Sequence, residues 1–160
     1  MKKMPTLFER VYDGHKIVDC RPNVHEGCEW VLAGEGVATQ KLDGTCCMVQ
    51  GGKLYARYDC KAGRTPPEGA IPCQPVPDPI TGHWPFWVST DDKPEYKHHR
   101  AAFDRQFPLE DGTYELCGPH FQRNPEHYEV DTLVRHGSII LDDVPRTFEG
   151  IKEYCLTHNI

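Results

Sequence analysis

The chain has no apolar run long enough to cross a membrane. Although 38% of its 160 residues are hydrophobic, no run approaches the roughly 18–20 consecutive apolar residues that a spanning helix needs. Two lysines follow the initial methionine, but no apolar segment of the kind found in signal peptides comes after them. We therefore expect a protein without a signal peptide and with a cytoplasmic location.

The sequence also lacks any Cys-x-x-Cys pair, although it contains eight cysteines. In a chain without a signal peptide, reduced thiols in the core are expected more often than disulfides. A zinc site built from Cys20, His25 and Cys28 is the alternative, but the spacing of these residues matches no standard zinc knuckle. We therefore expect reduced cysteines packed in the core, with the zinc site as the alternative.

The sequence has fewer basic than acidic residues. It contains 18 basic and 24 acidic residues, which gives a net charge of -6. This balance argues against a protein that holds nucleic acid mainly by bulk electrostatics. It still allows a locally basic groove, or an enzyme that touches only a nucleic-acid end or handles a magnesium nucleotide.

The strongest structural pattern is a series of β-type runs between residues 37 and 60. Runs at 37–42, Thr45–Gln50 and Lys53–Cys60 are separated by Asp43-Gly44 and Gly51-Gly52, both of which are two-residue hairpin sequences. We expect an antiparallel three-stranded meander. Because side chains alternate along strands, Lys41 and Arg57 should then lie on the same surface of the sheet.

The remaining elements predict an α+β fold with a mostly antiparallel sheet and helices packed outside it, as one domain spanning 1–160. The expected parts are listed here in chain order: a short helix or strand followed by loops in 1–27, a strand at 28–34, a Pro-rich loop at 63–85 anchored by Trp84, Phe86 and Trp87, a helix at 96–107, a strand at 113–117, and a helix at 146–156.

Three candidates for chemistry each have an ordinary structural interpretation. Lys41, in Lys-x-Asp-Gly, is either a solvated turn residue or a nucleophile. Glu115 is either a surface charge on a strand or a placed ligand. His98 and His99 are adjacent on the predicted helix and point about 100° apart, so we expect solvated histidines and not a shared metal ion.

The order of the motifs resembles a known family. The stretches concerned are Lys41-Leu42-Asp43-Gly44, then Tyr55-Ala56-Arg57-Tyr58-Asp59, then Tyr114-Glu115-Leu116-Cys117-Gly118. They look like motifs I, Ia and III of the covalent nucleotidyltransferases. Residues 38–47, 77–83, 118–125 and 135–137 further resemble the ATP-dependent 5′-to-3′ RNA ligases known from vertebrates, with bacterial and viral relatives.

This resemblance implies an ATP-grasp-like adenylation domain that uses ATP and Mg²⁺ and acts on RNA ends. The lysine matching motif I would attack ATP to form lysyl-AMP, pass AMP to an RNA 5′-phosphate, and let a 3′-hydroxyl seal the strand. The residues implied are Lys41 as the nucleophile, Gln40, Asp43, Arg57, Glu115 and His136 at the nucleotide, and Glu115 also at the metal.

The chain departs from the family pattern in two places. Gln40 stands where some relatives carry an acid, and the chain is expected to stop before motifs IV and V. Glu149-Gly150-Ile151-Lys152 imitates motif IV but lies in the predicted C-terminal helix. Four interpretations stay open: an active RNA ligase, a DNA ligase or GTP-using capping enzyme, a catalytically incomplete module that binds nucleotides or RNA ends, and an unrelated β-rich domain.

Overall fold

The computed structural model describes residues 4–79, 81–91 and 93–160. Contacts group these residues into two compact units, one formed by residues 41–138 and the other by residues 4–40 and 139–160. Both units contain antiparallel β-structure and few helices, so the predicted α+β class is confirmed. The expectation of one domain spanning 1–160 stays a prediction.

The unit of residues 41–138 is built on a six-stranded antiparallel sheet in the order β5-β6-β4-β3-β7-β8. Its strands are β3 (Thr45–Gln50), β4 (Lys53–Cys60), β5 (Ile71–Pro72), β6 (Trp84–Ser89), β7 (Gly112–Cys117) and β8 (Thr132–Arg135). The β3–β4 hairpin is confirmed. Gly51 and Gly52 have φ of 57° and 72°, and positive φ at both turn residues matches the twist of the flanking strands.

One face of this sheet carries the core. Helix α2 (Lys97–Gln106) follows a 3₁₀ turn at Pro94–Tyr96. The helix expected at 96–107 is therefore confirmed. The core cluster joins the helix to alternate residues of β3, β4, β7 and β8, and it consists of Cys47, Val49, Leu54, Ala102, Phe103, Tyr114, Leu116 and Leu133. Alternation along β3 and β7 therefore turns Cys46 and Glu115 to the opposite face.

The Pro-rich loop is anchored by aromatic residues, as expected. Phe86 and Trp87 are buried in β6, and the Trp84 indole Nε1–H donates a 2.8 Å hydrogen bond to the Gln74 carbonyl. The expectation that residues 61–85 form no regular secondary structure is wrong at β5, which pairs with β6, and at Trp84 and Pro85, which begin β6. Ile80, part of the resembling stretch 77–83, lies outside the described residues.

The first strand of the predicted meander does not form. Residues 38–40 make only a β-bridge between Thr39 and Ile140, flanked by hydrogen bonds from Gln40 N–H to the Ile139 carbonyl and from Leu141 N–H to the Ala38 carbonyl. The place beside β3 is taken by β7, which pairs with residues 45–49. Because β3 already has β4 on its other side, no edge is left for a 37–42 strand.

The unit of residues 4–40 and 139–160 contains a hairpin of β1 (Phe8–Asp13) and β2 (Lys16–Val24), and helices α1 (Glu29–Leu32) and α3 (Phe148–His158). The C-terminal helix prediction is confirmed. Thr147 caps α3 by accepting a hydrogen bond from Gly150 N–H, and Phe148 packs edge-on against Phe8.

Two expectations for this unit are wrong. Where loops were expected after one short element, residues 8–24 form the β1–β2 hairpin. Where a strand was expected at 28–34, the chain forms helix α1. The carbonyls there are satisfied locally, because the Arg146 guanidinium donates to the carbonyls of Val31, Glu35 and Gly36 at 2.7–3.0 Å. A backbone paired in this way has no need of a neighbouring strand. Among the described residues, no helix combines the length and apolar character required to cross a membrane.

Candidate functional site

The turn after Lys41 is fixed to strand β7. Leu42 is buried, and Gly44 N–H donates a 3.1 Å hydrogen bond to Oε1 of Glu115. A Cβ atom on Gly44 would lie 2.3 Å from the Leu116 carbonyl oxygen and 2.8 Å from the Cys117 Sγ. Because backbone cannot move aside cheaply, only glycine lets the turn approach β7 this closely.

Glu115 connects this turn to the residue that follows β8. Its side chain is only 15% exposed, and its Oε2 lies 2.8 Å from Nε2 of His136. This contact uses Nε2 and leaves Nδ1 as the ring nitrogen that could bind another partner. That Nδ1 is buried and has no hydrogen-bond partner among the described residues. The His136 N–H donates to the Thr113 carbonyl at 3.0 Å, which holds the residue beside β7.

A row of side chains crosses the sheet on this face. Cys46 pairs with Glu115 on one side, and the register of β3 with β4 places Arg57 on the other. Arg57 Nε donates a 3.0 Å hydrogen bond to Asp59 Oδ1. Burial and the Glu115 carboxylate raise the pKa of the Cys46 thiol to about 11, against an opposing effect of Arg57. The thiol is therefore neutral at physiological pH.

Three carboxylates converge on the turn. Asp43 N–H donates to Glu126 Oε1 at 3.0 Å, which brings a second acid beside the Glu115–Gly44 contact. The pKa of Cys117 is raised to about 11, first by burial and then by the charges of Glu115, Glu126 and Asp43. Since these acids all act on one thiol, the site has a local excess of negative charge that favours a cation.

Several residues that the sequence analysis predicted for the site lie at this place. Asp43, Glu115 and His136 are joined through the hydrogen bonds of the turn and β7, and Arg57 lies in the same row. Lys41 is exposed and precedes β3 outside any strand. The expectation that paired strands would carry Lys41 beside Arg57 therefore loses its basis, because 37–42 is not a strand. Gln40 is half-buried and uses its N–H in the short bridge to Ile139.

The sequence analysis did not single out Glu126, and its expectation of a solvated histidine is wrong for His99. Glu126 follows the Asn124-Pro125 turn, and that turn was the only local signal for it. His99 is buried and not solvated, with Tyr96 and Phe121 packed edge-on against its ring. Burial, and secondarily His98, lower its pKa to about 4, so its ring is neutral at pH 7. His98 stacks on His120.

The comparisons with known proteins add no relative. No protein-family model matches the chain, and no curated protein matches it. The fold and the site themselves define an α+β protein with a mostly antiparallel sheet. One face of that sheet carries a carboxylate–histidine cluster beside the turn that follows Lys41.

Replacing Gly44 with alanine should destabilise the protein more than replacing a glycine that is needed only for its positive φ. Gly44→Ala forces Cβ onto the Leu116 carbonyl, and overpacking of this kind costs about 2–3 kcal/mol. Gly51→Ala is the control, because Gly51 has φ of 57° and open space around it, which costs only about 1 kcal/mol. Urea denaturation of both variants measures the difference, and equal losses would contradict the close approach of the turn to β7.

The Cys46 thiol should resist alkylation in a pH-dependent way. A pKa near 11 instead of 9.0 leaves about 100-fold less thiolate at pH 8, and thiolate is the reactive form. Its rate with iodoacetamide should therefore keep rising between pH 9 and about pH 10. Glu115→Gln should raise the rate only in part, because burial is the larger cause. Peptide mass mapping measures both, with exposed Cys20 as the internal comparison; a plateau for Cys46 near pH 9 would mean that access alone limits it.

Proposed function

We propose that this chain is an RNA-ligase-like adenylyltransferase of ATP-grasp-like nucleotidyltransferase fold, acting on ATP and RNA ends in the cytoplasm. The observation that carries the proposal is the chain of hydrogen bonds from Gly44 through Glu115 to His136. Three segments that are distant in sequence, each selected by resemblance to one family, contribute to one site. A chance match of short motifs gives no reason for such convergence.

Lys41 is the proposed nucleophile. Its Nζ, once unprotonated, forms a bond to the α-phosphorus of ATP while the bond from that phosphorus to its bridging oxygen breaks and pyrophosphate leaves. An oxygen of an RNA 5′-phosphate then takes the AMP from the lysine. In the last step a 3′-hydroxyl attacks the activated 5′-phosphate and AMP departs. The exposed position of Lys41 before a fixed turn leaves room for a nucleotide to reach it.

The neighbouring residues have roles that match their surroundings. Arg57, partly exposed and in the same row as Glu115, would contact phosphate, since a guanidinium is suited to paired anionic oxygens. His136 Nδ1, which has no hydrogen-bond partner among the described residues, would form a hydrogen bond with a polar group of the nucleotide. Asp43 would shape the turn.

The donor set also fits Mg²⁺. Glu115, Glu126 and Asp43 offer oxygen atoms, which Mg²⁺ prefers, and it usually takes one or two carboxylates together with substrate phosphates. Cys46 lies within 4.8 Å of ligand atoms on Glu115 and His136, but its neutral thiol is a poor partner for so hard a cation. Mg²⁺, when bound, supplies charge neutralisation to the phosphates. Glu115 is the ligand proposed for it.

The second candidate is a catalytically incomplete module that binds nucleotides or RNA ends. One observation favours it: Glu149-Gly150-Ile151-Lys152, the stretch that imitates motif IV, lies in the first turns of α3. A helical turn presents these side chains differently from a strand, so this stretch is no substitute for the metal-binding carboxylate that motif IV supplies in the family.

Incubation of the full chain with Mg²⁺ and ATP should add one AMP, about 329 Da, to the intact protein through a bond to lysine. Lys41→Ala should abolish the addition. Lys53→Ala is the matched control, because Lys53 is an exposed lysine at the start of β4, and it should leave the addition unchanged. Intact-protein mass spectrometry is the measurement.

The two candidate functions give different outcomes. An adduct that requires Lys41 supports the transferase. ATP binding without an adduct would contradict catalysis and support the incomplete module. Neither adduct nor binding would contradict both proposals. An adduct formed with GTP and not with ATP would instead indicate capping chemistry.

A further inference from the structure

A second group of possible ligands lies apart from the site just described. His98 comes from the first turn of α2, His120 follows β7, and Asp131 precedes β8. Oδ2 of Asp131 lies 2.7 Å from Nδ1 of His120 and 4.0 Å from Nδ1 of His98. The two imidazole rings are stacked, with centroids 3.6 Å apart and planes inclined by 18°. Both Nδ1 atoms therefore lie near one carboxylate oxygen.

The carboxylate of Asp131 is held firmly in place. The residue is only 8% exposed, and its Oδ1 accepts a 3.2 Å hydrogen bond from the His120 N–H. The Arg105 guanidinium donates to the Asp131 main-chain carbonyl, which leaves the carboxylate free of that cation. A Cβ on Gly118 would lie 2.6 Å from Oδ1, so the glycine makes the space that this carboxylate occupies.

Hydrogen bonding alone accounts for only part of this arrangement. His120 Nδ1 is within hydrogen-bond distance of Asp131, but His98 Nδ1 at 4.0 Å is too far. A single cation among the three donors would bring His98 Nδ1 and the carboxylate into one coordination sphere.

We propose that His98, His120 and Asp131 bind a zinc ion, with a fourth position open to water. Two imidazoles and one carboxylate are a donor set that Zn²⁺ accepts, whereas Mg²⁺ and Ca²⁺ favour oxygen alone. Tetrahedral bonds of about 2.0–2.2 Å place ligand atoms about 3.4 Å apart. The observed separations of 2.7 and 4.0 Å lie on either side of that value. Because an imidazole nitrogen directs its lone pair in the ring plane, the two stacked rings also rotate apart when the ion binds.

The bound ion would join α2 to the segment between β7 and β8. Helix α2 packs on the core face of the sheet, while Glu115 projects from the other face. The zinc site therefore stabilises the packing of the helix and needs no part of the adenylation chemistry. Its success or failure is independent of the function proposed for Lys41.

The test uses the full chain stripped of metal with a chelator. Zn²⁺ is titrated by calorimetry, and Co²⁺ replaces it as a spectroscopic probe. His98→Ala is the main variant, because Nδ1 of His98 is too far from Asp131 for a hydrogen bond that folding could require. His83→Ala is the matched control, since His83 precedes β6, which β4 and β3 separate from β7. His120→Gln is a second ligand variant if the first fails to fold by circular dichroism.

We expect one Zn²⁺ per chain and a higher thermal unfolding temperature with zinc. Loss of a direct ligand in His98→Ala or His120→Gln should weaken binding at least about 100-fold, and His83→Ala should bind as the wild type does. The Co²⁺ form should show no thiolate-to-cobalt charge-transfer band, because its ligands contain no sulfur.

Three results would overturn the proposal. The first is no stoichiometric binding of Zn²⁺ by the metal-free wild type. The second is equal binding by the wild type and a folded ligand variant. The third is a thiolate charge-transfer band at saturation, which would assign the metal to a cysteine site such as the group of Cys46, Glu115 and His136.

Discussion

The carboxylate of Glu115 is the group on which the candidate site depends. One oxygen accepts the N–H of Gly44 and the other faces Nε2 of His136, so a single side chain on a central strand fixes both the turn after Lys41 and the residue after β8. Its charge also helps to keep the Cys46 thiol protonated. An acid held this deep in the fold needs donors on both oxygens, and the backbone of a close-packed glycine turn supplies one of them.

The two faces of the six-stranded sheet have different roles in the unit of residues 41–138. On one face, alternate residues of β3 and β7 bury their side chains against Ala102 and Phe103 of α2 and give the unit its core. On the other, the intervening residues form the polar row that includes Arg57, Cys46 and Glu115. Strand alternation thus lets stability and chemistry use the same strands without competing for the same positions. On the helix side of the sheet, the stacked rings of His98 and His120 connect α2 to the segment that follows β7.

The sequence predicted the hairpin and the helices that have strong local patterns. It did not predict the features that depend on which distant segments pair. The β3–β4 hairpin, α2 and α3 follow from the Gly51-Gly52 turn and helical apolar periodicity. Residues 37–42 have strand composition, but β7 occupies the edge beside β3, and no local pattern encodes that competition. Glu115 and His136 were predicted site residues, yet their contact depends on the β7–β8 register. The clustering of His98 with His120 and Asp131 depends on where α2 packs, which its own sequence does not state.

The most direct test of the account concerns the ring of His136. Its Nδ1 should change its ¹⁵N chemical shift when ATP binds, because this nitrogen is buried and has no hydrogen-bond partner among the described residues. Nitrogen NMR of ¹⁵N-histidine-labelled protein measures this, with the signal assigned through His136→Gln. An unchanged Nδ1 signal at saturating ATP would contradict the role given to the Gly44–Glu115–His136 connection.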